Sequence, residues 1–254
     1  MVYRIVRLRG SHGAALPGLI AEKLNPGLLD LLTVLPDGVI IVSGTNGKTT
    51  TTHLLAKSLE RMGKRVFTNH SGSNMTRGLL ASIVRFSDLR GHLIHDVAVL
   101  EIDEAYAAKL APVLKPRAAI LTNVLRDQLD RFGEIDHAAR LLLELAKACT
   151  ELVVYNATDS RLSAVPSVLT GTKGVSYGFS PDLSDHFPDD DSLYTKGPRE
   201  HPRQLDYSLY SASDSVCEIA SGTQRLKLDR SHLPGWHNAL NLVAVYALIA
   251  ELFG

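Results

Sequence analysis

Apolar positions along the chain follow two rhythms. Short runs rich in β-branched and apolar residues at Val39–Val42, Arg65–Thr68, Asp96–Ile102, Ala118–Thr122, Leu152–Asn156 and Gly174–Phe179 predict strands. Between them apolar residues recur at helical spacing. One such stretch runs from Lys48 through Leu54, Leu55, Leu59 and Met62, and others lie near Arg77–Arg85 and Ala105–Leu110. The longest, Glu134–Cys149, carries Ile135, Ala138, Leu142, Leu145 and Ala148. This alternation predicts an α/β fold, a mostly parallel sheet with helices on both faces. Ligands of such sheets gather at the carboxyl ends of the strands. Every polar motif described below follows a predicted strand.

The pattern is looser at the two ends. Residues 1–37 read as a lead-in with short helices at Leu16–Leu24 and Leu28–Leu32, separated by Asn25-Pro-Gly27. Residues 38–254 read as one domain. Within it, residues 180–204 form an irregular acidic insertion containing prolines. Val216–Ala220 and Gln224–Leu228, around Ser221-Gly-Thr223, predict a small β-hairpin, and a helix from about Trp236 to Phe253 closes the chain.

Composition narrows the class without naming a chemistry. With 254 residues, 45% of them hydrophobic, the chain can bury a sizeable core. Acidic and basic residues balance, so bulk attraction to nucleic acid is not expected. No apolar run reaches the roughly 20 residues that span a bilayer. The basic start, Met1–Arg9, lacks the apolar core of a secretory signal, so a cytoplasmic protein is expected. Cys149 and Cys217 stand in no metal-ligand spacing and read as small core residues.

The candidate chemistry begins at Gly44-Thr45-Asn46-Gly47-Lys48-Thr49-Thr50, between the first strand and its helix. Turn amides and a helix N-terminus present positive ends to an anion, and the ammonium reaches the outer phosphates. The hydroxyl after the lysine suits a nucleotide-bound Mg²⁺. The general P-loop pattern places a further glycine where this chain has Val42, so the loop is a short variant. Glu101 emerges from the strand before it as the first choice to hold Mg²⁺, with Asp103 or Glu104 second. After the next strand, Asn123, Arg126 and Asp127 stand in a dense polar loop, the arginine suited to charge on a transferring phosphoryl group. Asn69, Ser71, Asn74, Thr76 and Arg77, after the second strand, could present donors to an anionic second substrate.

These motifs resemble those of the Mur ligase superfamily, ATP-dependent amide-bond-forming enzymes related to folylpolyglutamate synthetases. Their phosphate loop is of the same short kind. Pro234-Gly-Trp-His237-Asn238, with Asn241 following, resembles the family segment that meets adenine, and Asn156-Ala-Thr-Asp159 resembles its Asn-Ala-Asp-Asp. Asn74-Met-Thr-Arg-Gly78, Leu100–Ala105 and Arg126–Glu134 are similar to the MurT branch, the ligase subunits of lipid II isoglutaminyl synthase. That resemblance implies transfer of the ATP γ-phosphoryl group to the D-glutamate α-carboxylate of lipid II. The acyl phosphate would then be amidated by ammonia from a GatD-like glutamine amidotransferase. It further implies Lys48 on the β/γ-phosphates, Thr49 and Glu101 on Mg²⁺, His237 and Asn238 at the nucleoside, and residues 68–78 facing lipid II. Departures from the branch are informative. With Cys217 alone in the region of the usual four-cysteine zinc ribbon, no zinc is expected, and the resemblance leads to the expectation of a central domain without the C-terminal ligase domain of Mur ligases. Two alternatives are a nucleotide-binding module without turnover and a ligase of the folylpolyglutamate synthetase kind.

Overall fold

Strand β1 (Val39–Ser43) is buried along its whole length because both of its faces are covered. Val39 and Ile41 enter one apolar layer, while Ile40 and Val42 enter the other. The protein, described by a computed structural model over residues 27–69, 76–88, 91–125, 134–187, 201–202 and 204–254, builds outward from this strand. The remaining strands are β2 (Val66–Thr68), β3 (Val97–Glu101), β4 (Ala118–Leu121), β5 (Leu152–Asn156), β6 (Lys173–Phe179), β7 (Tyr207–Ala212), β8 (Val216–Ser221) and β9 (Gln224–Asp229). The helices are α1 (Asp30–Thr33), α2 (Lys48–Arg61), α3 (Thr76–Phe86), α4 (Glu104–Leu114), α5 (Glu134–Ala148), α6 (Val165–Val168) and α7 (Trp236–Leu252).

Among the described residues nine strands form one sheet in the order β2-β3-β1-β4-β5-β6-β7-β8-β9. Pairing is parallel from β2 through β7 and antiparallel across β7-β8-β9. The chain passes from β1 outward to β2, returns through β3, and then crosses to β4 on the other side of β1. That reversal opens a crevice at the carboxyl end of β1, where parallel sheets of this kind bind ligands. One apolar layer holds Leu32 of α1, Leu79 and Ile83 of α3, Leu110 of α4 and Leu142 and Leu145 of α5. The other holds Leu55 and Leu59 of α2 with Val243, Ala244 and Leu248 of α7. The α/β sheet read from the sequence is therefore the observed one.

Several details differ from the sequence reading. The hairpin is β8–β9, but it is joined to the main sheet through β7, a strand the periodicity did not predict. Tyr207 and Leu209 point inward from β7 and Tyr210 points outward at 45% exposure, so a partly apolar outer face hides the alternation. The second lead-in helix appears as the single turn α1, while Leu16–Leu24 lies outside the described residues. At the start of the expected insertion, Pro181–His186 forms a 3-10 helix with Leu183 and Phe187 buried. Residues 188–200 and 203 lie outside the described residues.

At the opposite end from the crevice, Asp96 ties β2 to β3. Its carboxylate accepts from the Arg65 backbone N–H (2.7 Å) and from the guanidinium at 2.5 and 3.1 Å. These bonds, the side-chain one foremost, hold the Asp96 carboxyl down at about 2. A depressed carboxyl contributes stability that is present above its unfolded pKa and lost as pH falls through the folded one. The urea midpoint of the wild-type protein should therefore fall more steeply than that of Asp96→Asn between about pH 4 and pH 2. Parallel midpoint curves would remove Asp96 from the acid response.

Candidate nucleotide-binding site

The turn after β1 is shaped by two close approaches. Gly44 (φ +131°) lies so near the 122–123 backbone that a Cβ would sit 2.8 Å from Asn123 O, with Thr122 Oγ1 closer still. Gly47 (φ +85°) caps α2, and a Cβ there would meet Asn241 Oδ1 at 2.7 Å. Both positions favour glycine on backbone conformation, and at Gly44 the neighbouring backbone also leaves no space for a Cβ. Lys48 opens α2, and its Nζ donates to Gly44 O and, at 2.9 Å, to Thr45 O. The ammonium thus curls over the loop, beside the free N–H groups of the first helical turn.

A second pair of side chains faces this loop. Thr49 Oγ1 donates to Glu101 Oε1 at 2.9 Å. Glu101, the last residue of β3, is only 8% exposed. Its backbone is clamped by Asn69 at the end of β2: Asn69 Nδ2 donates to Glu101 O (2.7 Å) and Asn69 Oδ1 accepts from Glu101 N (2.9 Å). Asp103 instead caps α4 by accepting from Ala105 N, and Glu104 stands in the first turn of that helix. A hydroxyl beside a carboxylate supplies two oxygen ligands for a hard cation such as Mg²⁺, which commonly completes its shell with water and phosphate oxygens. Among the described residues no group of three or more His, Cys, Asp or Glu side chains could form a protein-only cage.

Two cavities meet over the loop. One of about 360 Å³ is lined by Thr45–Thr50 and Glu101. The other, about 440 Å³, runs from Asn46, Gly47 and Thr50 to Tyr177, His237, Asn238 and Asn241. Asn241, 7% exposed, lines this second cavity, where an amide can meet the polar edge of a ligand. The two shapes suit, respectively, a polyphosphate with its cation and a nucleoside.

The loop is braced from behind by residues after β4 and β5. Asn123 mimics a peptide group: Oδ1 accepts from Asn46 N (2.9 Å) and Nδ2 donates to Asn46 O (3.1 Å). Thr45 N donates to Asn123 O at 2.8 Å, and Leu125 N donates to Thr45 Oγ1 at 3.0 Å. The 122–125 segment is held in turn by Asp159, which accepts from Val124 N (2.6 Å), and by Asn156, which donates to Thr122 O (3.0 Å).

Residues 42–249 match the family described as Mur ligase middle domain. The chain belongs to the Mur ligase middle-domain family. Its similar relatives include lipid II isoglutaminyl synthase (glutamine-hydrolyzing) subunit MurT of Staphylococcus aureus (strain COL), 34% identical over 157 residues. That match covers 62% of this chain and 35% of the relative. The MurT of Streptococcus pneumoniae (strain ATCC BAA-255 / R6) is 35% identical over 161 residues, 63% of this chain and 35% of the relative. The chain thus spans about a third of the length of these relatives. Among solved structures, the MurF ligase from Thermotoga maritima in complex with ADP superposes with a TM-score of 0.67. It is 22% identical, with 92% of this chain and 49% of that one covered.

Within this Mur ligase domain the structure brings Gly44–Thr50, Glu101, Asn123, His237 and Asn238 to one crevice. The His237 ring packs edge-on against Phe187 with centroids 5.4 Å apart, and Asn238 Nδ2 donates to Pro234 O at 2.6 Å. Asn69 is buried behind Glu101, with its amide committed to that backbone. Thr76 and Arg77 stand in the first turn of α3. Ser71, Asn74, Arg126 and Asp127 lie outside the described residues. Sequence reasoning gave no role to Tyr177, which is fully buried and donates to the carbonyls of Leu121 (3.4 Å) and Thr122 (3.3 Å). Burial pushes its hydroxyl far above the ordinary tyrosine range, so it remains a donor. Asn156 and Asp159 were marked only by resemblance. Their position directly after a strand, at the sheet end that carries the loop, was the available signal.

Proposed function

We propose that this chain is the ATP-binding part of a MurT-type amidoligase. In this reading the D-glutamate α-carboxylate of lipid II attacks the γ-phosphorus of ATP, ADP leaves, and the resulting acyl phosphate is amidated by ammonia with release of phosphate. The observation that carries the nucleotide part is the meeting of the two cavities over Gly47, with Lys48, Thr49 and Glu101 at one end and Asn241 at the other. Similarity to two MurT subunits supports the choice of acceptor, and the ADP complex of a MurF on the same fold supports the nucleotide.

A carboxylate is inert to ammonia, so the site must position reactants and stabilise charge rather than supply a nucleophile. Lys48 would move from its loop carbonyls to the β/γ-phosphates, while the amides at the start of α2 meet the same charge. Thr49 and Glu101 would hold Mg²⁺, which neutralises phosphate charge when bound. Asn123 keeps the loop open, and Asn69 holds Glu101 in place. Arg126 and Asp127 are proposed to approach the transferring phosphoryl group, and Ser71, Asn74, Thr76 and Arg77 the acceptor. A GatD-like glutaminase in the cytoplasm would supply ammonia, with lipid II reached at the membrane surface. Among the described residues no helix is long and apolar enough to cross a membrane.

The reading is tested by incubating the protein with a GatD-type glutaminase, glutamine, ATP, Mg²⁺ and lipid II, and following the acceptor by mass spectrometry. ATP-dependent conversion of the α-carboxylate to a carboxamide is expected. Nucleotide binding without product would reduce the chain to a binding module, and addition of an amino acid in place of ammonia would favour the folylpolyglutamate synthetase kind. Glu101→Gln separates metal from nucleotide. It keeps an acceptor for Thr49 but removes the charge, so Mg²⁺-stimulated ATP affinity should fall about tenfold while Mg²⁺-free affinity holds or rises. Unchanged Mg²⁺ stimulation would remove Glu101 from the metal site.

A further inference from the structure

Resting on the nucleotide reading above, we propose that Arg230 is a positioning residue for the nucleoside end of the site. It sets how strongly the protein prefers a nucleotide to a bare polyphosphate. Arg230 directly follows β9 and is 4% exposed. Its guanidinium has no carboxylate partner among the described residues and bonds only to backbone carbonyls. Nε and Nη2 donate to Leu233 O at 3.1 and 2.8 Å, and Nη2 also donates to Gly235 O at 2.7 Å. A buried guanidinium without a counter-ion is costly, and these bonds are what offset that cost.

The bonds converge on the turn that launches α7. Pro234 O, between the two carbonyls held by Arg230, is taken by Asn238 Nδ2 at 2.6 Å. Gly235 O also accepts from Ala239 N at 3.4 Å, the first bond of the helix. Three consecutive carbonyls are thereby fixed by side chains. Arg230 is itself anchored, because its N–H donates to Ser215 O and its carbonyl accepts from Leu233 N, both at 2.7 Å. The hairpin at the edge of the sheet is in this way bolted to the start of α7. Within the next turn and a half, α7 presents His237, Asn238 and Asn241 to the 440 Å³ cavity, and Trp236 stacks on His186 with centroids 3.9 Å apart.

The phosphate end has different supports. Gly44–Gly47 is laced to Asn123 and Leu125, and Glu101 is clamped by Asn69; Arg230 takes part in none of these bonds. Loosening the 233–235 turn should therefore displace the nucleoside wall more than the phosphate cradle, which touches α7 where Gly47 packs on Asn241. Lysine cannot replace the fork, since an ammonium lacks the fixed planar geometry that spans two carbonyls.

The test compares ATP with inorganic tripolyphosphate, each with Mg²⁺, by calorimetric titration of wild type, Arg230→Lys and Arg230→Gln, with thermal melts to verify folding. ATP affinity is expected to fall about tenfold or more in the variants, with tripolyphosphate affinity within about twofold of wild type. Unchanged ATP affinity, an equal loss for both ligands, or failure of both variants to fold would overturn the proposal. A wild-type protein that binds tripolyphosphate but not ATP would instead overturn the nucleotide reading on which it rests.

Discussion

Lys48→Ala is expected to weaken ATP binding by roughly 100-fold while leaving the fold nearly unchanged, since charge-assisted bonds to phosphate contribute about 3 kcal/mol in such a site. The ammonium is held by Gly44 O and Thr45 O, so its attraction to phosphate is measured against two neutral carbonyl bonds. Exchange of neutral acceptors for a polyanion remains strongly favourable. The side chain is only half-buried and lines an open cavity, so water can take over both carbonyls in the variant. Melting should consequently shift by no more than a few degrees. ATP titration with the melt as control checks both halves. Affinity within about twofold of wild type would show that the ammonium does not meet phosphate.

Gly44→Ala is expected to act through the fold, with a cost of roughly 2–4 kcal/mol in the urea unfolding free energy. Its φ of +131° is unfavourable for any side chain, and the added carbon would collide with backbone at Asn123 O and N as well as with Thr122 Oγ1. A hydroxyl can rotate away, but the 122–123 backbone is held by Asn156 and Asp159 and has little room to yield. The collision should also part Thr45 from Asn123, so any remaining folded protein should bind nucleotide poorly. Wild-type stability in Gly44→Ala would show that the loop does not pack on the segment after β4 in the way described.

The periodicity of the chain carried the sheet well. Residues 39–42 read as a strand buried on both faces, and β1 is just that, flanked by β3 and β4. The site was legible for the same reason: with a parallel sheet expected, every polar motif at a strand end was a candidate, and Lys48, Thr49, Glu101 and Asn123 do converge. β7 escaped because Tyr207–Ala212 leads into a serine-rich turn and places Tyr210 on its outer face. Asn69 was read as a donor for a substrate, whereas neighbouring β2 and β3 direct its amide to the Glu101 backbone, a pairing set by strand order rather than by local sequence. Arg230 carried no local signal. Its burial arises only when the hairpin closes against the start of α7.

Hydrogen–deuterium exchange of the protein with and without ATP and Mg²⁺ addresses the central claim most directly, that a triphosphate spans the turn between β1 and α2. The expected result is slowed exchange concentrated in residues 44–50, with further protection at 122–125 and 236–241. Saturating nucleotide that leaves 44–50 unprotected, or that protects some other face of the sheet, would contradict it.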